Sequence, residues 1–157
     1  MSNSGETSKP VFVVGMNGSG TTMLLDCLDN HHDLYGFRRE TKVIPYFIQS
    51  AGKYGDLTCD ENFRRLWDDF RSITFFKYAN NGRNVPLPVN WRDAPRSVSG
   101  VIDGTLSYFA KKEKKSRWCE KTPMHAQHIC LLADTFPDAK FIHIIRDGRS
   151  CAASFHR

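Results

Sequence analysis

The chain has 157 residues, enough for one domain with a real core, and its 40% hydrophobic and 25% charged residues exclude fibrous and low-complexity classes. A net charge of +5 favours an anionic partner. The basic residues are not clustered with interleaved aromatics, so nucleic acid is not expected.

Residues 1–9 are polar and are expected to be a disordered tail, with 10–157 forming a single domain. The run VFVVG (11–15) reads as a strand, and the glycine-rich turn MNGSGTT follows it. A helix is expected from Thr21 to about Asn30, with Met23, Leu24, Cys27 and Leu28 on its apolar face. His31, His32 and Asp33 end it. Leu34 to Phe37 reads as a short second strand, and Glu40 to Gln49 as the start of another helix. Asp60 to Phe70 is helical, with Phe63, Leu66, Trp67 and Phe70 on one side. Asn80 to Pro95 has the turn chemistry of a long loop, and Val98 to Lys112 is again helical. The run Lys111 to Lys115 reads as a solvated helix end. Residues 50–115 carry no phosphate signature and are the expected place for substrate contacts. There, Phe75, Phe76, Tyr78, Trp91 and Tyr108 are either core or pocket lining.

Ser116 to Cys119 is a possible strand, and Thr122-Pro123 starts a helix, with Thr as N-cap and Pro at the first helical position. That helix ends near Phe136-Pro137. Lys140 to Ile145 reads as a buried strand, and Asp147 onward as a last helix. Strands alternating with helices imply an α/β fold: a mostly parallel, P-loop-like sheet in a three-layer α/β/α arrangement. The chain stops soon after the last helix begins, so the sheet is expected to be incomplete.

The unit from Val11 to Leu25 is built to hold phosphate. Its glycines let the backbone approach an anion, and the amides of the turn and first helical turn point at it. The spacing from Gly15 to Gly20 is that of a P-loop, but Thr21 stands where the lysine belongs. That lysine reaches the β- and γ-phosphates of a triphosphate, so a different anion is expected and no metal site. A P-loop kinase or NTPase is thereby the weaker reading.

Three polar groups fall at strand ends, where open α/β sheets bind ligands. They are the loop Asn17, Gly18, Ser19, Gly20, Thr21 and Thr22; Arg146 with Ser154; and Glu40 with Lys42, joined by Lys121 of WCEKTP. An arginine fork matches phosphate oxygens. A carboxylate beside cations is a general base or a surface ion pair. His125 is expected on a helix surface, His143 packed in its strand, and His31 and His32 in a turn. No apolar run approaches the roughly 20 residues of a membrane span. The start shows no signal-peptide pattern and the cysteines number five, so a reduced, cytoplasmic setting is expected.

In order, the segments GMNGSGTT, RRETKVIP, WCEKTP and FPDAKFIHIIRDGRSCAAS resemble the sulfotransferases that use 3′-phosphoadenosine-5′-phosphosulfate (PAPS). The similarity covers residues 10–48 and 116–157, and is nearest to the branch of tyrosylprotein and bacterial sulfotransferases. It implies transfer of a sulfuryl group from PAPS to an acceptor hydroxyl of peptide tyrosine, carbohydrate or a small alcohol. It also implies that Ser19, Gly20, Thr21 and Thr22 hold the 5′-phosphosulfate, while Arg146 and Ser154 grip the 3′-phosphate. Glu40 falls at the catalytic carboxylate, Lys42 at a basic position beside it, and Lys121 near the transferring group. The family usually carries a basic residue where this chain has Gly18, leaving Lys42, Lys121 or Arg39 as substitutes. A nucleotide-binding module without catalysis is the alternative reading.

Overall fold

The structure, a computed structural model, describes residues 9–155; of the tail expected at 1–9, residues 1–8 lie outside the described residues. Strand β1 (Val11–Gly15) is followed by helix α1 (Thr21–Asp29), strand β2 (Leu34–Phe37) and helix α2 (Ile44–Gln49). Helices α3 (Asp60–Arg71), α4 (Thr74–Ala79) and α5 (Val98–Lys112) fill the middle. Strand β3 (Arg117–Lys121), helix α6 (Ile129–Thr135), strand β4 (Lys140–Ile144) and helix α7 (Gly148–Phe155) complete the described chain. The four strands form one parallel sheet in the order β2-β3-β1-β4. All four carboxyl ends therefore lie along the same edge.

Strand alternation sorts the core into two clusters. Val11, Val13 and Cys119 pack with Leu25 of α1 on one face. Phe12, Val14 and Trp118 point to the other, where they join Phe63, Leu66, Trp67, Phe70, Val101, Ile102 and Leu106 from α3 and α5. This is the α/β/α layering expected from the sequence. Charge supports the helices of the thicker layer. Asp60 and Glu61 stand in the first turn of α3 and Arg71 in its last, complementing the helix dipole. Ser97 caps α5 by accepting from the Gly100 amide at 3.0 Å, and Lys111 and Lys112 stand in its last turn.

Several boundaries differ from expectation. Helix α2 begins at Ile44, not Glu40. Lys42 sits in the left-handed region at φ 57°, which breaks any helix running through it, and the Thr41 amide is bonded elsewhere. After Thr122 the chain makes a 3₁₀ helix, Pro123–His128, before α6, and the Thr122 hydroxyl does not cap it. Strand β4 is half-exposed, because it lies at the sheet edge with β1 as its partner. His143 is accordingly exposed on that edge strand, while His125, expected on a surface, is 2% exposed. Phe76 and Trp91 are core, Phe75 is partly buried and Tyr78 is exposed.

Candidate functional site

Each sequence-selected group follows one strand of the parallel sheet. Read across the sheet, Glu40 and Lys42 follow β2, Lys121 ends β3, the glycine loop follows β1, and Arg146 follows β4. Because β1 lies between β3 and β4, the loop after it stands beside both Lys121 and the segment carrying Arg146, at the carboxyl edge where open α/β sheets generally bind ligands.

The loop is shaped by its glycines. Gly18 and Gly20 take φ 80° and 104°, a region that disfavours any residue with a Cβ. Gly20 is the N-cap of α1 and offers no side chain to it, so the first amides of the helix lack a side-chain cap. Ser19 is 7% exposed, and its Oγ has no hydrogen-bond partner among the described residues. A buried orphan hydroxyl beside free helix-terminal amides is the donor set that a phosphate oxygen satisfies. Thr21 is buried, whereas Asn17 and Thr22 are exposed at the loop rim.

The loop and the segment after β4 touch. Arg146 donates from Nη1 to the Gly18 carbonyl at 3.0 Å. A Cβ built on Gly18 would lie 3.1 Å from the Cys151 carbonyl oxygen and 3.2 Å from the Ser154 Cβ, both in α7. Glycine at this position thus lets α7 close onto the loop. Beside this contact, Arg146, Ser150, Ala153 and Ser154 line a cavity of about 250 Å³. Ser154 Oγ donates to the Ser150 carbonyl at 3.1 Å. The glycine loop and the Arg146–Ser154 cavity are therefore direct neighbours.

On the other side of β1, Glu40 is held between two cations. Lys121 Nζ lies 3.2 Å from its Oε1, and Lys42 Nζ 3.5 Å from its Oε2. Lys121 is 5% exposed and pairs in register with Val13, two residues before the end of β1. Lys42 is exposed. Arg39 is not part of this group: it lines a separate cavity with Tyr35, Phe75 and Glu113 at the β2 edge.

A family model described as "Sulfotransferase family" matches residues 10–157. The chain belongs to the sulfotransferase family. Curated relatives similar to it include the protein-tyrosine sulfotransferase of Drosophila melanogaster, 29% identical over 145 residues, covering 92% of this chain and 24% of that protein. Protein-tyrosine sulfotransferase A of Caenorhabditis elegans is 28% identical over 155 residues, covering 94% of this chain and 33% of the relative. Protein-tyrosine sulfotransferase 1 of Danio rerio is 26% identical over 150 residues, covering 92% and 34%. The chain spans about a quarter to a third of the length of the relatives it matches.

Sequence reasoning missed one buried group, Glu120, and placed a second, His125, on a surface. Glu120 is 0% exposed. Its Oε1 accepts from the Thr41 amide at 3.2 Å, the Thr41 hydroxyl at 3.0 Å and the Thr122 hydroxyl at 2.5 Å. His125 Nδ1 lies 3.0 Å from its Oε2. Burial pushes the Glu120 carboxyl upward, but His125, Thr122 and the Thr41 amide outweigh it and hold the pKa below the usual 4.5. The available signal was strand alternation. With Trp118 inward, Glu120 must point inward as well, and an inward carboxylate demands partners.

Proposed function

We propose that the chain transfers a sulfuryl group from PAPS to an acceptor hydroxyl, with Glu40 as general base. The observation that carries this reading is the Glu40 carboxylate set between Lys121 and Lys42, at the same sheet edge as an anion loop with an unsatisfied buried hydroxyl. In the proposed step the acceptor oxygen attacks sulfur in line. An O–S bond forms, the bond from sulfur to the 5′-phosphate oxygen breaks, and the acceptor's proton passes to Glu40. Lys121 and Lys42 stabilise the charge spread over the sulfuryl oxygens. The loop amides with Ser19, Thr21 and Thr22 hold the departing 5′-phosphate, and Arg146 and Ser154 the 3′-phosphate. Most of the rate gain in such a step comes from positioning and charge stabilisation.

The relatives named above are protein-tyrosine sulfotransferases, so a tyrosine hydroxyl in a peptide is the acceptor proposed first. The decisive variant is Glu40→Gln. Transfer of labelled sulfuryl group to a tyrosine peptide should fall by about 10²- to 10⁴-fold, the usual share of a placed base. Calorimetric affinity for 3′-phosphoadenosine-5′-phosphate should hold. Unchanged turnover removes Glu40 from the mechanism. A second reading, nucleotide binding without transfer, is favoured by Gly18, which leaves the loop without its usual cation. Tight binding of 3′-phosphoadenosine-5′-phosphate, with no transfer by the wild-type chain to any hydroxyl acceptor, supports that reading instead.

A further inference from the structure

We propose that Glu120 is a positioning residue that holds Glu40 and Lys121 in a fixed relation. The inference rests on the transfer reading above and extends it to a residue outside the reacting groups. The segment 38–43, which carries Glu40 and Lys42, is neither helix nor strand, so no backbone ladder fixes it. Besides the Lys121–Glu40 contact, it is tied to β3 by one oxygen, Glu120 Oε1, which accepts both the amide and the hydroxyl of Thr41. The same oxygen accepts the Thr122 hydroxyl. Thr41 is the neighbour of Glu40, and Glu120 and Thr122 flank Lys121 on either side. A single buried acceptor thus ties the chain next to the candidate base to the chain around the candidate lysine, 81 residues away. Thr41, Glu120 and Thr122 are 2%, 0% and 1% exposed, so water does not compete for these bonds.

Stability alone does not account for a carboxylate here. A buried carboxylate recovers its desolvation cost only with complete partnering, and apolar residues of similar volume commonly serve as well or better. Glu120 is fully buried, pairs in register with Phe12 and lies two residues from Trp118 on the same strand face, where an apolar side chain would otherwise be expected. What an apolar residue cannot do is accept three hydrogen bonds from two separate segments. Strand alternation completes the device: Glu120 points into the thick layer, while Lys121 points the other way and meets Glu40.

The test uses the full chain with Glu120→Leu, Glu120→Gln and Thr41→Val. Hydrogen exchange of segment 38–43 is read without donor, and kcat and KM are read with PAPS and a tyrosine peptide. In Glu120→Leu, exchange at 38–43 should rise at least tenfold while that of β1 and α5 holds. There, kcat should fall by roughly 10²-fold, the usual consequence of misplacing reacting groups by about 1 Å, with KM for PAPS within about threefold. Glu120→Gln keeps an acceptor oxygen and should restore most of kcat. Thr41→Val removes one bond and should fall between the two. If Glu120→Leu does not fold, Thr41→Val and Glu120→Gln decide by the same two readouts. Unchanged exchange at 38–43 overturns the proposal, as does a loss of kcat that the glutamine fails to restore. A wild-type chain inactive toward every acceptor defeats the transfer reading alone, because exchange still reports whether Glu120 anchors the segment.

Discussion

Arg146 donates a hydrogen bond from Nη1 to the backbone carbonyl of Gly18, joining positions 128 residues apart at the carboxyl ends of β4 and β1. Through this bond the arginine is already turned toward the glycine loop. The guanidinium is exposed and adjoins the cavity formed with Ser150 and Ser154, so a second anionic group is within its reach. Hydrogen bonds to charged groups are worth about 1.5–3 kcal/mol, which corresponds to roughly 10- to 100-fold in affinity. Arg146→Ala should therefore weaken calorimetric binding of 3′-phosphoadenosine-5′-phosphate by that factor. Binding of the 5′-monophosphate, which lacks the second phosphate, should change little. Equal losses for both nucleotides would remove Arg146 from the 3′-phosphate and leave it a brace for the loop.

Gly18 supplies a second prediction. Restoring a side chain there, as Gly18→Ala or Gly18→Arg, puts a Cβ against the Cys151 carbonyl and the Ser154 Cβ at a φ of 80°. Backbone strain of this kind costs about 1–3 kcal/mol. Both variants should melt at lower temperature and bind nucleotide more weakly, even though Gly18→Arg adds a cation to the loop. Tighter binding by Gly18→Arg at undiminished stability would show that α7 yields easily, and that the glycine is not required by packing.

The parts of this fold that were legible in the sequence follow simple periodicities. The four strands, the glycine turn, α3 and α5 lie close to where alternation and helical spacing place them. Glu40, Lys42 and Lys121 were recognisable as residues, and the parallel sheet brings them together because each follows a strand on the same edge. Burial at the site was less legible. His125 reads as a helix-surface residue, yet the 3₁₀ helix Pro123–His128 turns it inward to Glu120. The apparent helix start at Glu40 fails because Thr41 spends its amide and hydroxyl on a carboxylate 79 residues away. No local pattern reports a long-range bond of that kind.

The cysteines are chemically distinct, and this can be read directly. Cys27, Cys59 and Cys130 are exposed, while Cys119 and Cys151 are buried. Burial, with a smaller contribution from the Glu120 charge, pushes the Cys119 thiol up to about 12. Since the thiolate is the reactive form, Cys119 is doubly protected at neutral pH. Iodoacetamide treatment followed by peptide mass spectrometry should modify Cys27, Cys59 and Cys130 in the native protein, and all five thiols only in denaturant. Early labelling of Cys119 would mean that β3 opens readily, contrary to its place between β1 and β2.

Glu120 also shapes the acid stability of the chain. Its folded pKa lies below the 4.5 expected when unfolded, despite the upward push of burial. Above the unfolded value both states are ionised and the stabilisation is complete. As the pH falls from there through the folded value, the unfolded chain takes up its proton first and stability is lost. Asp29 acts in the same direction: burial raises it, but the Gly36 amide, Lys115 and Arg38 bring it down from 3.8. Denaturant titrations between about pH 3 and pH 7 should show stability falling on this acid limb. Glu120→Gln should be less stable at neutral pH yet show a shallower limb, since one lowered carboxyl has been removed. His125→Leu removes the ring nitrogen 3.0 Å from Glu120 Oε2 and should lower stability at neutral pH. An acid limb of equal steepness in wild type and Glu120→Gln would mean that the buried carboxyl does not titrate differently on folding.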